Sequence, residues 1–378
     1  MHLAAEIFIW LLGGFGAIGS FASLLRFEDW WIRGFDFPRV QLTLFMVTAL
    51  VLTPLVADWN DWMYYAFAAA LLGGIGIQFF RIYPYTLIAA KQVKDAASPA
   101  SESTIKLMIS NVLMTNRDPT RLLALVKTHQ PNLLLTLETD KWWEDKLEAG
   151  IGDRYPHIIR VPLDNLYGMH LFSNLKLIDV EVKYLIKEDI PSIHCRVELP
   201  DGDIIKLHCL HPMPPSPTEA YSSTGRDAEL LMIGKKVAEN NKATIVAGDL
   251  NDVAWSHSTN LFLRASGLLD PRRGRGFFNT FHAEYRLLRW PLDHIFHSDD
   301  FGLVDIRRLP KVGSDHFPVL LELHHQPETS SRGYELEHDE DGREEVEEKV
   351  REGVDNDPNL AFKPLDLDLG LGGGSGVL

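Results

Sequence analysis

Residues 243–251 read Ala-Thr-Ile-Val-Ala-Gly-Asp-Leu-Asn, an apolar run that passes directly into a polar motif. Short apolar runs that are closed by a turn-forming glycine are typical of strands buried inside a sheet. The carboxylate of Asp249 and the amide of Asn251 then stand where this strand ends. The stretch therefore predicts a buried strand that carries two candidate catalytic side chains at its carboxyl end.

Three other short apolar runs have the same texture and predict further buried strands. They are residues 105–110, 132–137 and 204–210. Between the first two runs, residues 119–129 have the apolar spacing of a helix, and the tight turn Pro200–Asp203 precedes the last run. Strands mixed with helices, together with such a turn, indicate an α/β sandwich.

Polar side chains follow the other predicted strands as well. In chain order, the set is Asn111, Glu138, His211, Asp249 with Asn251, Asp293, and Asp315 with His316. Hydrolysis of a phosphodiester requires a hard cation held by carboxylates, a base that activates water, and donors for the phosphoryl oxygens. Each of these residues alone also fits a structural role, such as a turn or a helix cap. Together, in this order, they predict a catalytic site for phosphoester chemistry.

The order Asn, Glu, His, Gly-Asp-x-Asn, Asp-His and Ser-Asp-His resembles the endonuclease/exonuclease/phosphatase (DNase I-like) superfamily over about residues 105–325. The segments Asn111-Val112-Leu113, His211-Pro212-Met213-Pro214-Pro215 and Pro291-Leu292-Asp293-His294 are more closely similar to a bacterial, membrane-anchored subgroup of that superfamily. The resemblance implies an α/β fold, the DNase I-like four-layer sandwich of two β-sheets flanked by helices.

The resemblance also assigns the metal and substrate contacts. It implies Mg²⁺ as the cofactor, with Mn²⁺ as the alternative, and Glu138 as its principal ligand. Asp315 is expected to complete the metal surroundings, and Asn111 to bind substrate beside the metal and the phosphate. Oxygen ligands suit such hard cations, whereas the histidines of this chain lack the ligand spacing of a zinc site.

The catalytic residues that the resemblance implies are His211, Asp249, Asn251, Asp293 and His316. Asp249 is expected to orient or deprotonate the attacking water, while Asn251 binds a phosphoryl oxygen. His316 is expected to contact the scissile phosphate, held in its tautomer by Asp293. His211 is expected to stabilise the charge that develops during the reaction.

A basic loop lies between the last two groups of motifs. Residues 271–278 read Pro-Arg-Arg-Gly-Arg-Gly-Phe-Phe, and the resemblance locates them among the substrate-facing loops. Arg272, Arg273 and Arg275 are expected to grip a phosphate backbone, and the two aromatic residues to stack a base. A solvated basic loop fits equally well, and lipid headgroups would also be attracted to it.

Before the catalytic domain, the chain has a membrane region, residues 1–94, with three long apolar stretches. They cover residues 3–25, 40–57 and 62–80, close to the roughly 20 residues that cross the hydrocarbon core as a helix. Tryptophan and tyrosine cluster at their ends, as they do at the headgroup layer. The sequence therefore predicts three transmembrane helices.

Basic residues near these stretches predict the orientation of the chain. They are Arg26, Arg33 and Arg39 in the first loop, and Arg81, Lys91 and Lys94 after the third stretch. The positive-inside rule makes their side cytoplasmic. We therefore expect a multi-pass protein of the bacterial inner membrane with its catalytic domain in the cytoplasm and the bilayer as its partner.

The rest of the chain divides by composition. Residues 95–104 are a polar linker, residues 105–326 are the predicted catalytic domain, and residues 327–378 are an acidic tail that we expect to be disordered. The tail holds fifteen acidic and five basic residues, two thirds of the formal charge of −15. The net charge therefore does not exclude a polyanionic substrate.

The two cysteines leave a choice open. Cys195 and Cys209 flank the turn Pro200–Asp203 symmetrically, so that a three-residue hairpin loop would set them directly across from each other. A disulfide bridge is conceivable there. Two buried thiols in adjacent strands are the favoured interpretation, because cysteine is among the most buried residue types.

These features favour a membrane-anchored, nuclease-like phosphodiester hydrolase. The alternative substrates are lipid headgroups, with a phospholipid or sphingomyelin phosphodiesterase or a phosphoinositide phosphatase as the activity. A catalytically idle membrane scaffold is the alternative of a different class, and the complete set of catalytic residue types argues against it. No obligate protein partner is evident in the sequence.

The predicted orientation can be tested by protease protection. In intact spheroplasts we expect the carboxyl-terminal domain to resist added protease, because the basic flanks hold it on the cytoplasmic side. Lysed spheroplasts serve as the control, in which the domain should be digested. Digestion of the domain in intact spheroplasts would reverse the orientation.

Overall fold

The amino-terminal part of the chain is helical. The structure, a computed structural model, describes residues 2–25, 27–96, 101–240, 242–327 and 340–355. The helices of this part are α1 His2–Ala22, α2 Trp30–Arg33, α3 Arg39–Leu52 and α4 Trp62–Ile82. Short 3-10 turns extend α2, α3 and α4.

Two helices among the described residues are long and apolar enough to cross a membrane, His2–Ala22 and Trp62–Tyr85. The pair Trp30–Asp36 and Arg39–Leu55, bent by 71°, makes a third span if its two pieces count as one. The sequence predicted one continuous helix over residues 40–57, but α3 ends at Leu52. Pro54 lies in the 3-10 turn that follows, and proline cannot donate the backbone hydrogen bond of a helix interior.

Glycines allow the long helices to pack closely against α3. A Cβ atom at Gly16 of α1 would lie 2.7 Å from Met46 Cγ, and one at Gly74 of α4 would lie 2.5 Å from Met46 Sδ. Larger residues at either glycine would therefore force the helices apart. Close approach through small residues is the usual way in which helices pack in lipid.

A buried polar cluster closes the end of the bundle that faces the rest of the chain. Arg39 is 1% exposed, forms an ion pair with Asp36, and donates a hydrogen bond to Gln78 Oε1 at 2.9 Å. Arg33 lies 3.6 Å from the same carboxylate. Two of the arginines that predict the orientation are thus paired inside the protein, which leaves the basic residues after α4 as the stronger signal.

The strands form two sheets. In chain order they are β1 Thr104–Asn111, β2 Leu133–Leu137, β3 His157–Val161, β4 Met169–Ser173, β5 Lys176–Lys183, β6 Ser192–Glu198, β7 Ile204–Leu210, β8 Thr244–Asp249, β9 Asp293–His297, β10 Phe301–Arg308 and β11 Val319–His325. The first sheet has the order β10-β11-β1-β2-β4-β3, and the second has the order β5-β6-β7-β8-β9. Both are mixed, with β1 parallel to β2 and β7 parallel to β8.

The sheets pack face to face, and helices cover their outer faces. The helices are α5 Thr120–His129, α6 Lys141–Ile151, α7 Thr224–Ala238, α8 His257–Ser266 and α9 Glu340–Asp355. Aliphatic side chains of both sheets form one core between them, α5 and α6 cover the first sheet, and α7, α8 and α9 cover the second. The predicted architecture of two mixed sheets flanked by helices is confirmed.

The cysteines are free and buried, so the bridge that the sequence left open does not form. The strands are shifted relative to the predicted pairing, because Cys195 lies opposite Leu207 and Cys209 opposite Ile193. The reason is the loop between the strands. The loop is centred on Asp201, because Glu198 pairs with Ile204 and the Leu199 N–H donates to the Asp203 carbonyl, whereas aligned cysteines would need a loop centred on Gly202.

Part of the predicted disordered tail is an ordered helix, and for these residues the prediction is wrong. Helix α9 buries Val346 and Val350, one turn apart, against α7 and α8. A Cβ atom at Gly353 would lie 2.2 Å from Ala228 Cβ, which shows how closely α9 approaches α7. An apolar stripe at helical spacing gives this acidic segment a face to bury. The remainder of the predicted tail, residues 328–339 and 356–378, lies outside the described residues.

We predict that Val350→Asp releases α9 from α7 and α8. The substitution places a carboxylate at a buried apolar position, at a cost of about 2 kcal/mol or more. Hydrogen exchange of the full chain in detergent should then accelerate over residues 342–354 and stay unchanged in β1 and β8. Glu347→Ala, at an exposed position of the same helix, is the matched control. Equal protection in both variants would contradict the docking.

Candidate active site

The predicted catalytic residues meet at one rim of the sandwich. Asn111 ends β1 and Glu138 directly follows β2, which is parallel to β1. His211 follows β7 and Asp249 ends β8, a parallel pair of the second sheet. Asp293 begins β9 and is the register partner of Asp249 across the antiparallel pair. The carboxyl ends of both parallel pairs therefore open onto a single site.

Asn111 joins the acidic residues of the two sheets. Its Nδ2 donates hydrogen bonds to Glu138 Oε1 at 2.7 Å and to Asp249 Oδ2 at 3.1 Å. Its Oδ1 accepts from the Leu113 N–H at 3.0 Å, which fixes the orientation of the amide. The backbone N–H of Met114 lies 3.4 Å from Glu138 Oε2. Glu138 thus accepts hydrogen bonds from neutral donors.

His316 lies between two carboxylates. Its Nδ1 is 2.8 Å from Asp293 Oδ2, and its Nε2 is 3.5 Å from Asp249 Oδ2. His211 Nε2 approaches the same Asp249 oxygen at 4.0 Å, and His211 Nδ1 has no hydrogen-bond partner among the described residues. The predicted pairing of Asp293 with His316 is present in this arrangement.

Charge and burial shift the ionisation of these groups. Burial raises the pKa of Glu138 to about 7, against the opposing hydrogen bond from Asn111. Burial alone would lower the pKa of His316, but the carboxylates of Asp293 and Asp249 outweigh it and raise that pKa to about 10. His316 is therefore an imidazolium at neutral pH. Burial would raise the pKa of Asp249, but His316 holds it below the ordinary value, so Asp249 stays ionised.

The backbone at the rim adopts unusual conformations. Glu138 has φ 58° and Asn251 has φ 52°, values that side-chain-bearing residues adopt rarely. Gly248 has φ 153°, and a Cβ atom there would lie 1.8 Å from the Leu210 carbonyl oxygen. Glycine is thus required where β8 passes β7 into the motif. Such conformations cluster at functional sites, where the surrounding structure maintains them.

Two further predicted residues border the site. Asn251 Nδ2 donates to the Pro212 carbonyl at 3.0 Å, and its N–H donates to Asp249 Oδ1 at 3.0 Å. Asp315 is partly exposed, accepts from the Ser314 hydroxyl at 3.2 Å, and adds negative charge around Glu138 and His316. The roles predicted for both residues, phosphoryl binding and metal binding, stay predictions.

The carboxylate oxygens of the site fit a hard divalent cation. Asp249, Asp293 and His316 offer buried ligand atoms that lie within 4.8 Å of one another. In that group, however, the protonated His316 already bonds Asp293, and a protonated imidazole cannot bind a metal. The carboxylate of Glu138 faces neutral donors and is disfavoured in its ionised form, so it has more to gain from a cation.

The arginines of the basic loop are not in the site, and for them the prediction is wrong. Arg272 is buried, pairs with Asp270 at 2.8 Å, and contacts His294 at 2.7 Å. Arg273 is buried and donates to Asn260 Oδ1 at 2.6 Å. Arg275 donates to the Val93 carbonyl and to Asp95, both at 2.6 Å. The loop attaches the linker to the sandwich, and its three guanidinium groups all bond within the protein.

Arg226 and Thr280, which sequence reasoning missed, and His170, which it considered as a possible lining residue, support the site from behind. Arg226 is buried on α7, donates to the Asn251 carbonyl at 2.9 Å, and pairs with Asp227 at 2.8 Å. The Thr280 hydroxyl accepts from the Asp293 N–H at 3.1 Å. His170 contacts Thr139 Oγ1 at 2.6 Å, next to Glu138. An Arg-Asp pair inside a helix is the only sequence signal among these.

Comparison with known proteins finds one matching family model and several similar solved structures. Residues 108–316 match the model of the Endonuclease/Exonuclease/phosphatase family. Similar solved structures include an endonuclease/exonuclease/phosphatase from Beutenbergia cavernae DSM 12333, with 15% identity, 59% of this chain and 72% of that chain covered, and a TM-score of 0.48. A second is D. rerio TDP2 complexed with single strand DNA product, with 13% identity, 59% and 99% coverage, and a TM-score of 0.48. The human Nocturnin catalytic domain with bound sulfate anion has 16% identity, 61% and 97% coverage, and a TM-score of 0.48. No curated protein matches this chain significantly.

We predict that Asp293 and His316 act as one unit. His316→Ala should lower turnover about 10²- to 10⁴-fold, the usual contribution of a positioned acid or base. In residues that act together, the second substitution adds little, so Asp293→Asn combined with His316→Ala should be hardly slower than His316→Ala alone. Asp305→Asn, on β10, is the control. Multiplied rate losses in the double variant would mean that the two residues act independently.

Proposed function

This chain belongs to the endonuclease/exonuclease/phosphatase family, whose members hydrolyse phosphoester bonds, and we propose that it is a membrane-anchored, Mg²⁺-dependent phosphoester hydrolase. The observation that carries the proposal is the contact set around Asp249. Asn111, His316 and His211 all approach one buried, ionised carboxylate. A catalytically idle scaffold would gain nothing from such an arrangement at a solvent-facing rim.

The proposed roles follow from ionisation and contacts. Asp249 is ionised, so it can accept a hydrogen bond from a water molecule and orient that water towards phosphorus. His316 is protonated and held by Asp293, so it can donate a hydrogen bond to a phosphoryl oxygen through Nε2. The pKa of His211 is lowered by burial, which keeps that ring neutral. Asn251 is proposed to bind a second phosphoryl oxygen.

The cation is proposed to bind at Glu138, with Asn111 and Asp315 beside it. When bound, it would neutralise the phosphate and polarise the phosphorus–oxygen bond. The raised pKa of Glu138 supports this assignment, because the isolated carboxylate is poorly solvated and lacks a cationic side chain among its hydrogen-bond donors. Asn111 then holds Glu138 and Asp249 at a fixed separation.

The nucleic-acid preference loses its main support, since Arg272, Arg273 and Arg275 bond within the protein.

The domain plan is proposed as residues 1–94 for the membrane anchor, 95–104 for the linker and 105–326 for the catalytic domain. Helix α4 has 21 residues and a length of about 30 Å, which matches the hydrocarbon core. The cytoplasmic side remains the proposed location of the catalytic domain.

The metal assignment predicts that activity is lost both on substitution of Glu138 and on removal of the metal. Glu138→Gln should lower turnover about a hundredfold or more, because a metal contribution of several kcal/mol is removed. Excess chelator should abolish the activity of the unaltered protein. Calorimetric titration with Mg²⁺ or Mn²⁺ gives a readout independent of substrate, and Glu138→Gln should weaken the binding. Glu198→Gln, at the opposite rim, is the matched control. Full turnover in excess chelator would refute the metal requirement.

A further inference from the structure

A hairpin connects the active site to the membrane region. We call residues 281–290 the rim hairpin. At its base, the Phe281 N–H donates to the Trp290 carbonyl at 2.9 Å. The Phe281 ring lies 5.0 Å from the His316 ring, and the Trp290 ring lies 5.6 Å from Phe37, just before α3. The base therefore contacts the catalytic residues and the helical bundle at once.

The tip of the rim hairpin exposes apolar side chains. Tyr285 is 61% exposed, Leu287 is 84% exposed and Leu288 is 48% exposed. Single exposed apolar residues are ordinary, but a cluster of them on one loop marks an interaction surface. Arg286 is also exposed in this loop and suits an anionic headgroup.

The tip lies at the level where the helices enter the proposed bilayer. Gln41 Nε2 donates to the Leu287 carbonyl at 2.6 Å, and Gln41 is the third residue of α3. Leu287 is therefore level with a point about 3 Å along α3, measured from the first residue of that helix at the rise per residue of an α-helix. Leu87 and Ile88 follow α4 at the same end of the bundle and are 79% and 78% exposed. The exposed surface of the tip is thus continuous with that of the helical bundle.

We propose that the tip of the rim hairpin inserts into the bilayer surface, and that the site acts on the phosphoester of a lipid headgroup. This inference rests on the proposed function. The occupant is the bilayer because α3 contacts the tip directly, and α3 itself exposes Leu44, Val47 and Val51 along its length. A hairpin held at that level meets headgroups and acyl chains.

The same hairpin delivers the headgroup to the catalytic residues. The Ala283 N–H donates to the Asp315 carbonyl at 2.6 Å, so the arm that leads to the tip is bonded to the motif that carries His316. A lipid beside the tip therefore has its phosphate next to the site while its chains remain in the bilayer. A polynucleotide would approach the same rim across an apolar loop, after losing the arginine contacts expected for it.

The first test compares substrates on the full chain in vesicles. The substrates are phosphatidylcholine vesicles that carry phosphatidylglycerol, sphingomyelin and phosphatidylinositol phosphate, together with soluble bis(p-nitrophenyl) phosphate and plasmid DNA. Leu287→Asp combined with Leu288→Asp should lower the ratio of lipid to soluble-substrate hydrolysis by about tenfold or more, because charge at the tip opposes insertion. Ile204→Asp is the control, at an exposed apolar residue on the opposite rim.

Each outcome decides something different. An unchanged ratio, or hydrolysis of DNA without any lipid product, would overturn the lipid inference while the proposed function stood. No hydrolysis of any substrate by the unaltered protein would overturn the proposed function itself.

The second test measures insertion without relying on catalysis. Leu287→Cys, labelled with an environment-sensitive fluorophore, should be quenched by lipids that carry a quencher in the upper acyl chain. The native cysteines are buried and free, and an identical label at Ile204→Cys should not be quenched. Equal quenching at the two positions, or none at position 287, would refute insertion of the tip.

Discussion

The buried carboxylate of Asp249 makes the contacts on which the site depends. The same contacts fix the position of one sheet relative to the other at this rim. Asp249 belongs to the second sheet, whereas Asn111 and His316 approach it from strands or loops of the first. A buried charge that loses a partner destabilises a protein by about 3–5 kcal/mol. A shift of one sheet relative to the other at this rim would separate Asp249 from its partners and destabilise the protein by that amount. Catalytic geometry and sandwich geometry are maintained by the same contacts.

A second set of ionic contacts supports the catalytic loop from behind. Arg226 holds the Asn251 carbonyl and pairs with Asp227, while Lys349 of α9 lies 3.6 Å from Asp227. Lys349 also pairs with Glu28, in the segment between α1 and α2. The positive φ of Asn251 is thus maintained by elements from both ends of the chain. This explains why an acidic helix far along the sequence folds back onto the sandwich.

The sequence brings the candidate site residues to notice because their signal is local. Asn111, Glu138, His211 and Asp249 lie at or just after the carboxyl ends of β1, β2, β7 and β8, which form one parallel pair in each sheet. Residues in such positions meet at one edge of their sheet. Two other predictions failed because they depend on contacts distant in sequence. Arg272 contacts His294 only after β9 is in place, and α9 becomes ordered only when α7 and α8 offer an apolar surface. The favoured interpretation of the cysteines, two buried thiols in adjacent strands, is confirmed.

The same difference between local signals and contacts distant in sequence explains where charge and apolar surface lie around the site. The resemblance suggested that the basic loop would face the substrate, yet its guanidinium groups have partners within the fold, and desolvated arginines are stable only when they are paired. The rim hairpin shows the opposite case, in which the sequence does not mark a surface that the structure exposes. Its leucines lie between arginines in sequence and give no strand or helix period, so nothing local marks them as a surface. The leucines are exposed because Phe281 and Trp290 fix the base of the hairpin. The tip is then held beside the amino-terminal helices, where it cannot reach the core of the sandwich.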